Sequence, residues 1–158
     1  MLAAKAVGSA NIKMVIPRRD YSTSASFDMY RHDIAGTTTS GNYPSKTTSS
    51  SGATNLYDST FYFMTTANKV YKVLYNGDQL QTGATNISGS EPTSTSNAPF
   101  WHDSNYYLKF MYQMTTSEVQ NFLTTDFMPV TVNSNESNNR GIDVVMVTNS
   151  GSGYPLCL

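Results

Sequence analysis

Short runs in which aromatic or aliphatic residues occupy every second position dominate the hydrophobic pattern of this chain. This period predicts β-strands with one buried face. Residues 61–64 (FYFM) and 70–75 (VYKVLY) are two such runs. Five residues separate them, which predicts an antiparallel hairpin. In the second run we expect Tyr71, Val73 and Tyr75 on one face, and Val70, Lys72 and Leu74 on the other.

The longest alternating run covers residues 106–114 (YYLKFMYQM). Alternation predicts one long strand with a shared buried face formed by Tyr106, Leu108, Phe110, Tyr112 and Met114. Further strands are predicted at residues 11–16 (NIKMVI), ended by Pro17, and at residues 142–148 (IDVVMVT).

One short helix is predicted after the long strand. Thr115 and Glu118 have the spacing of a capping box, with a threonine N-cap and a glutamate three residues later. The helix should reach about Thr124 and bury Val119, Phe122 and Leu123, because these positions share one helical face. Pro129 prevents any continuation, and the chain from Met128 onward is expected to be extended.

Small polar residues fill the segments between these elements. The chain contains 20 serines, 20 threonines and 14 asparagines among 158 residues. They concentrate in residues 36–54 and 79–99, which predicts long polar loops at the surface. We therefore expect residues 1–158 to form a single domain that is mainly β, an antiparallel sandwich or barrel-like fold with one short helix and long polar loops.

Charge is scarce in this sequence. Only 13% of the residues are charged and the net charge is −1, whereas about 25% is typical of soluble domains. This balance predicts neither nucleic acid nor a membrane as a partner. Lys69, Lys72 and Lys109 lie among aromatic residues and could form a stacking surface for single-stranded nucleic acid. We favour the alternative that they are outward lysines that protect sheet edges.

The residues that usually carry catalysis are dispersed. His32 and His102 lie in polar sequence without metal-ligand spacing, and the carboxylates occur singly. The Ser150–Gly153 stretch is read as a turn, because neither a nucleophile elbow nor a dinucleotide loop fits it. Cys157 is the only cysteine, so no internal disulfide is possible, which suits assembly in a reducing cytoplasm. We predict no enzymatic activity, no cofactor and no metal.

The order of segments resembles a known family. The run Met14-Val15-Ile16-Pro17-Arg18-Arg19-Asp20 followed by an aromatic resembles the VIPRRDW entry of the baseplate wedge protein that forms dimers in T-even-type contractile-tailed bacteriophages. The hairpin region at residues 55–78, the strand at 106–112, the capped helix and the closing Gly151–Tyr154 follow in the family's order. The forms found in phages of marine cyanobacteria are the most similar. The resemblance covers residues 14–154, although Tyr107 and Leu108 lie near a position where the family has tryptophan.

The resemblance implies a structural component of a contractile-tail baseplate, assembled in the host cytoplasm and located in the virion. It implies other baseplate wedge proteins as partners, with a possible homodimer, and no catalytic residues. An alternative is a tail-fibre or receptor-binding module that holds host glycans on aromatic side chains around Trp101, His102 and Asp103. A weaker one is a small hydrolase that uses scattered carboxylates. The interface candidates are Arg18, Arg19, Asp20, Tyr21, Trp101 and Tyr107.

Overall fold

The computed structural model describes residues 8, 11–31, 34, 49–77 and 86–131. Within these residues the chain forms two antiparallel sheets and one helix, so the prediction of a mainly β fold with one short helix is confirmed. The predicted strand at residues 142–148 lies outside the described residues, as do Cys157 and most of the polar segment at 36–54. The elements are β1 (Val15–Pro17), β2 (Tyr62–Met64), β3 (Lys69–Asn76), β4 (Phe100–His102), β5 (Tyr106–Gln113), α1 (Thr116–Phe122) and β6 (Phe127–Pro129).

The large sheet contains four strands in the order β2-β3-β5-β4, and the small sheet pairs β1 with β6. The predicted hairpin is confirmed as β2 and β3, joined by residues 65–68. Its turn is closed by a hydrogen bond from the Thr65 amide to the Lys69 carbonyl at 2.9 Å. Asn68 has a φ of 58°, a left-handed conformation that asparagine tolerates better than most residues.

The prediction that β5 presents one continuous buried face is wrong. Tyr71 pairs with Phe110 but Val70 pairs with Tyr112, so β5 contains one extra residue, Met111, at this point. Such a β-bulge reverses the alternation. Because paired residues share a face, Phe110 and Tyr112 lie on opposite sides of the sheet and join different hydrophobic clusters.

A second bulge corrects the prediction for β3. Val73 pairs with Leu108 and Tyr75 with Tyr107, which makes Leu74 the extra residue. Tyr75 therefore faces away from Val73. The expectation that Tyr71, Val73 and Tyr75 share a face holds only for the first two, both of which are fully buried in the first core cluster.

β4 is not among the strands predicted from the sequence, in which His102 was expected in polar loop sequence. The three residues of β4 pair with β5. The turn between the two strands places Asp103 and Ser104 at φ values of 53° and 71°. Asp103 stabilises it, because its carboxylate accepts hydrogen bonds from the amides of Asn105 at 3.1 Å and Tyr106 at 3.2 Å.

Both faces of the large sheet are covered. One face carries the first core cluster and the opposite face carries the second, which also includes Met128 of β6 and is flanked by Ile16, Val119 and Leu123. The first cluster contains Phe27, Phe63, Tyr71, Val73, Ile87, Tyr106, Leu108 and Phe110. The second contains Tyr62, Met64, Val70, Tyr112, Met114 and Met128.

The polar segment at residues 79–99 is more than a surface loop where it is described. Ile87 is fully buried in the first core cluster and exchanges backbone hydrogen bonds of 2.8 Å with Ser24 and Ala25. Further along, the Ser94 carbonyl accepts a hydrogen bond of 2.8 Å from the Tyr71 hydroxyl. One isoleucine and several backbone carbonyls thus attach a serine- and threonine-rich segment to the core.

The helix begins as predicted and ends slightly earlier. Thr115 is its N-cap and forms both hydrogen bonds of the capping box with Glu118, but α1 ends at Phe122 rather than near Thr124. Val119, Phe122 and Leu123 are half-buried, whereas Glu118 is buried.

Pro17 lies inside β1 instead of ending it from outside, because it is the last residue of this strand and pairs with Phe127. An edge strand accepts proline at its end since no ladder hydrogen bond is lost there.

A buried aspartate holds the segment around residue 51 against the sheet. Asp28 is fully buried, and its carboxylate accepts hydrogen bonds from the amides of Ser51 and Thr60, both at 2.8 Å, and from the hydroxyls of Ser51, Ser59 and Thr60. Burial raises the pKa of Asp28, but these hydrogen bonds outweigh it and the net shift is downward.

We expect the substitution Asp28→Ala to lower the free energy of unfolding at pH 7 by about 2–4 kcal/mol, because five buried or part-buried donors lose their acceptor. Urea denaturation followed by circular dichroism measures this. The exposed Asp126 provides a matched control, since Asp126→Ala should change the unfolding free energy by less than about 0.5 kcal/mol. Equal effects of the two substitutions would contradict a structural role for Asp28.

Candidate functional site

Four of the six interface candidates lie in the segment that follows β1. The Arg18 guanidinium donates to the Asp20 carboxylate at 2.8 and 3.1 Å and to the Thr124 carbonyl at 3.0 Å. Arg19 donates to the Asp58 carbonyl at 3.1 Å, while its Nε is buried and donates to no described residue. These guanidinium groups are therefore engaged largely within the chain, and they brace the segment against neighbouring loops.

Tyr21 completes this segment. Its ring contacts Phe63 and Phe27 at centroid distances of 5.4 and 6.5 Å, so it packs against the first core cluster. Its hydroxyl donates to the Gly89 carbonyl at 3.1 Å. Burial and the nearby carboxylates of Asp103 and Glu91 raise the pKa of Tyr21, which keeps the hydroxyl protonated as a donor.

A small cleft of about 140 Å³ opens beside the segment, lined by Arg18, Asp20, Tyr21, Met64, Thr65, Thr66 and Glu91. The carboxylate of Glu91 is occupied with the hairpin turn: it accepts the Thr66 amide at 3.0 Å and the Thr66 hydroxyl at 2.7 Å. The hydroxyl of Thr65 is turned toward the Lys69 carbonyl at 3.3 Å. Glu91 and Thr65 therefore stabilise the turn. Arg18, Asp20 and Tyr21 bond within the segment that follows β1 and to neighbouring backbone.

The remaining two candidates form a separate site, which we call the aromatic surface: Tyr75, Trp101 and Tyr107. The bulge at Leu74 turns Tyr75 toward β4, where its ring meets Trp101 at 5.9 Å, and Trp101 meets Tyr107 at 4.9 Å. Trp101 is 59% exposed. Tyr75 packs edge to face on Trp101 at an interplanar angle of 78°, and Tyr107 is tilted against Trp101 by 42°, so the three rings do not form one flat platform.

A second exposed surface is built on the small sheet, and we call it the N-terminal apolar surface: Ile12, Met14, Val15 and Phe127. The register of β1 and β6 places Ile16 and Met128 as a pair, and both belong to or pack against the second core cluster. Val15 and Phe127, one position away on each strand, therefore face outward. Ile12 and Met14 precede β1 and are exposed as well. Met14 is 81% exposed, Val15 46% and Phe127 41%.

This N-terminal apolar surface was not predicted, although the NIKMVI run signals a strand. In residues 11–16 one face carries Ile12, Met14 and Ile16 and the other carries Asn11, Lys13 and Val15, so alternation favours burial of the first face. Ile16 follows this pattern and packs against the second core cluster. Ile12 and Met14 are exposed instead, because they precede the residues that pair with β6.

The lysines occupy positions different from those predicted. Lys72 and Lys109 pair directly across β3 and β5, which are the two central strands, so they do not protect sheet edges. The ammonium of Lys72 lies 3.4 Å from the centre of the Tyr30 ring, within the range of a cation–π interaction. Lys69 begins β3, and its ammonium donates to the Thr93 carbonyl at 2.7 Å.

Within the described residues, no three His, Cys, Asp or Glu side chains lie together in a way that could hold a metal ion. His102 is in β4, with its Nε2 buried and unbonded to any described residue, and His32 lies outside the described part. Burial raises the pKa of Tyr71 and of Tyr106 to about 12, so both hydroxyls are protonated at neutral pH. The Tyr71 hydroxyl donates to the Ser94 carbonyl at 2.8 Å, and the Tyr106 hydroxyl accepts a hydrogen bond from the Phe27 amide at 3.0 Å.

In the described part of the chain, α1 spans seven residues, and no helix there has the length and apolar character needed to cross a bilayer.

Comparison with known proteins gives no functional argument for this chain. No protein-family model matches the chain, and neither a curated protein nor a solved structure matches it.

Proposed function

We propose that this protein is a structural subunit of a large protein assembly, and more specifically a wedge component of a contractile-tail baseplate. The observation that carries the general proposal is the pair of exposed surfaces: the N-terminal apolar surface on the small sheet and the aromatic surface on the large one. The specific assignment to a baseplate rests on the resemblance of residues 14–154 to that family.

Exposing these apolar and aromatic side chains to water costs free energy. Contiguous apolar surface on a soluble protein marks sites where another molecule packs. Aromatic residues and methionine are enriched in protein interfaces, while lysine, glutamate and aspartate are depleted. Met14, Phe127 and Trp101 match the first group, and the low charge of the chain as a whole matches the second.

Locating the chain in a virus particle tests the specific assignment. Purified virions of a phage that encodes this chain should contain the polypeptide by mass spectrometry, and a cryo-EM map should show it in the baseplate, in contact with wedge proteins. Its absence from the particle would sink the baseplate proposal. Its presence at the outer tip of a fibre would favour the receptor-binding alternative.

We expect the double substitution V15T/F127T to reduce incorporation into the assembly at least about tenfold, since binding losses near 1.4 kcal/mol already give that factor. The unfolding free energy should change by less than about 1 kcal/mol, because Val15 and Phe127 are already 46% and 41% exposed in the folded chain. Pull-down of co-expressed assembly proteins and urea denaturation measure the two effects. Tyr57 is 64% exposed outside both surfaces, so Tyr57→Thr is the control and should assemble normally. Normal assembly of V15T/F127T would remove this surface from the interface.

A second function, glycan recognition, is favoured by one observation, the 59% exposure of Trp101 beside Tyr107. Aromatic rings bind the apolar faces of sugars, although the inclined rings here offer only Trp101 as an open face. If this function is correct, a glycan array will retain the protein, and Trp101→Ala will abolish retention while Tyr57→Ala will not. An array without any retained glycan leaves the structural role as the only proposal.

A further inference from the structure

Glu118 connects three segments that are distant in sequence. Its side chain is about 10% exposed, and Oε1 accepts a hydrogen bond from the Lys13 ammonium at 2.7 Å and from the Thr131 hydroxyl at 3.0 Å. The Thr115 amide donates to Oε2 at 2.9 Å. Lys13 precedes β1, Thr115 caps α1 and Thr131 follows β6, so a single carboxylate ties the ends of the small sheet to the helix.

A capping box alone does not need this arrangement. It requires only the reciprocal bonds between Thr115 and Glu118, and those account for part of the carboxylate's contacts. The bonds from Lys13 and Thr131 add a second role, because they fasten the strand-bearing segment at residues 11–17, which we call the N-terminal strap. Glutamine in place of Glu118 would preserve the capping box but not the ion pair.

Among the described residues, the strap has few other attachments. Residues 11–15 are exposed, and Ile16 is the strap residue that packs against the second core cluster. The remaining contacts are the three residue pairs with β6, the bond from the Val130 amide to the Met14 carbonyl at 2.9 Å, and the bond from the Tyr62 hydroxyl to the Pro17 carbonyl at 2.8 Å. A segment with so little buried surface opens at a lower free-energy cost than the large sheet does.

We propose that Glu118 is a proton-sensitive clasp, and that its protonation releases the N-terminal strap while the large sheet stays folded. The charged group that faces the carboxylate is the Lys13 ammonium, from the strap itself. From β5, the Tyr112 hydroxyl lies nearby and donates to the Pro129 carbonyl at 3.0 Å. Burial raises the pKa of that hydroxyl, so it stays protonated throughout the acid range.

The direction of the effect follows from the pKa of Glu118. Burial, the largest single influence, raises it, but the bonds from Lys13, Thr115 and Thr131 outweigh burial and lower it from 4.5 to about 2. A carboxyl with a lowered pKa in the closed state stabilises that state above its pKa in the open state. This stabilisation is lost as the pH falls from 4.5 toward 2. Release of the strap leaves β6 without its partner strand.

Hydrogen–deuterium exchange of the full chain, corrected for the intrinsic rate at each pH, tests the proposal. Between pH 6 and pH 3 we expect the protection of the strap amides to fall about 30-fold, the change that the two pKa values of Glu118 imply. Protection in β3 and β5 also falls, because the lowered pKa values of Glu118 and Asp28 reduce the global stability in acid, but it should stay above that of the strap at both pH values. A strap protection that does not change with pH would overturn the proposal, as would strap amides that at pH 3 are as strongly protected as those of β3 and β5, since the strap would then open only by global unfolding.

Two variants separate the clasp from general destabilisation. Glu118→Gln should have a weakly protected strap already at pH 6 and show no further loss at pH 3. Glu91→Gln is the matched control, because Glu91 also accepts an amide and a hydroxyl bond, but in the hairpin turn, and it should behave like the wild type. If Glu118→Gln fails to fold, Lys13→Met removes the cation and keeps the cap. It should then lower the protection of the strap without affecting α1, and an unchanged strap would refute the clasp.

Discussion

Two backbone hydrogen bonds at Met64 join the small sheet to the large one. The Met64 amide donates to the Arg19 carbonyl at 2.7 Å, and the Tyr21 amide donates to the Met64 carbonyl at 2.8 Å. The chain thus leaves its pairing with β6 at Pro17 and continues along the edge of β2 within a few residues. A strand that passes from one sheet to another forms the corner of a β fold. This corner fixes the positions of Arg18, Arg19, Asp20 and Tyr21.

The chain covers its large sheet with segments that have almost no regular structure. This is possible because side chains of the core form hydrogen bonds with the covering backbone. The Tyr71 hydroxyl donates to the Ser94 carbonyl, and the Asn76 side-chain amide donates to the Phe27 carbonyl. The Tyr106 hydroxyl accepts a hydrogen bond from the Phe27 amide. Buried backbone groups need such partners. The abundance of tyrosine, serine and threonine, which at first suggests surface loops, is also what allows those loops to pack.

The small number of charged residues also bears on the proposed assembly role. Ion pairs between described side chains are restricted to Lys13 with Glu118, which joins the N-terminal strap to α1, and Arg18 with Asp20, which lies within the corner segment that follows β1. The exposed apolar and aromatic surfaces lie on different sheets, which suits a subunit that contacts partners at two separate places. On our proposal, the charges of this chain arrange its own segments and its apolar side chains meet its partners.

The sequence alone determined the features that depend on neighbouring residues. The β2–β3 hairpin, the capping box at Thr115 and Glu118, and the β character of the chain were all predictable, because turn geometry and capping act over a few residues. Trp101 and Tyr107 could be named as candidates, but not their contact with Tyr75. That contact depends on the bulge at Leu74, just as the division of β5 between two clusters depends on Met111. Tertiary structure decided these features, together with the burial of Ile87 and the outward face of β1, because each is set by what a distant segment packs against.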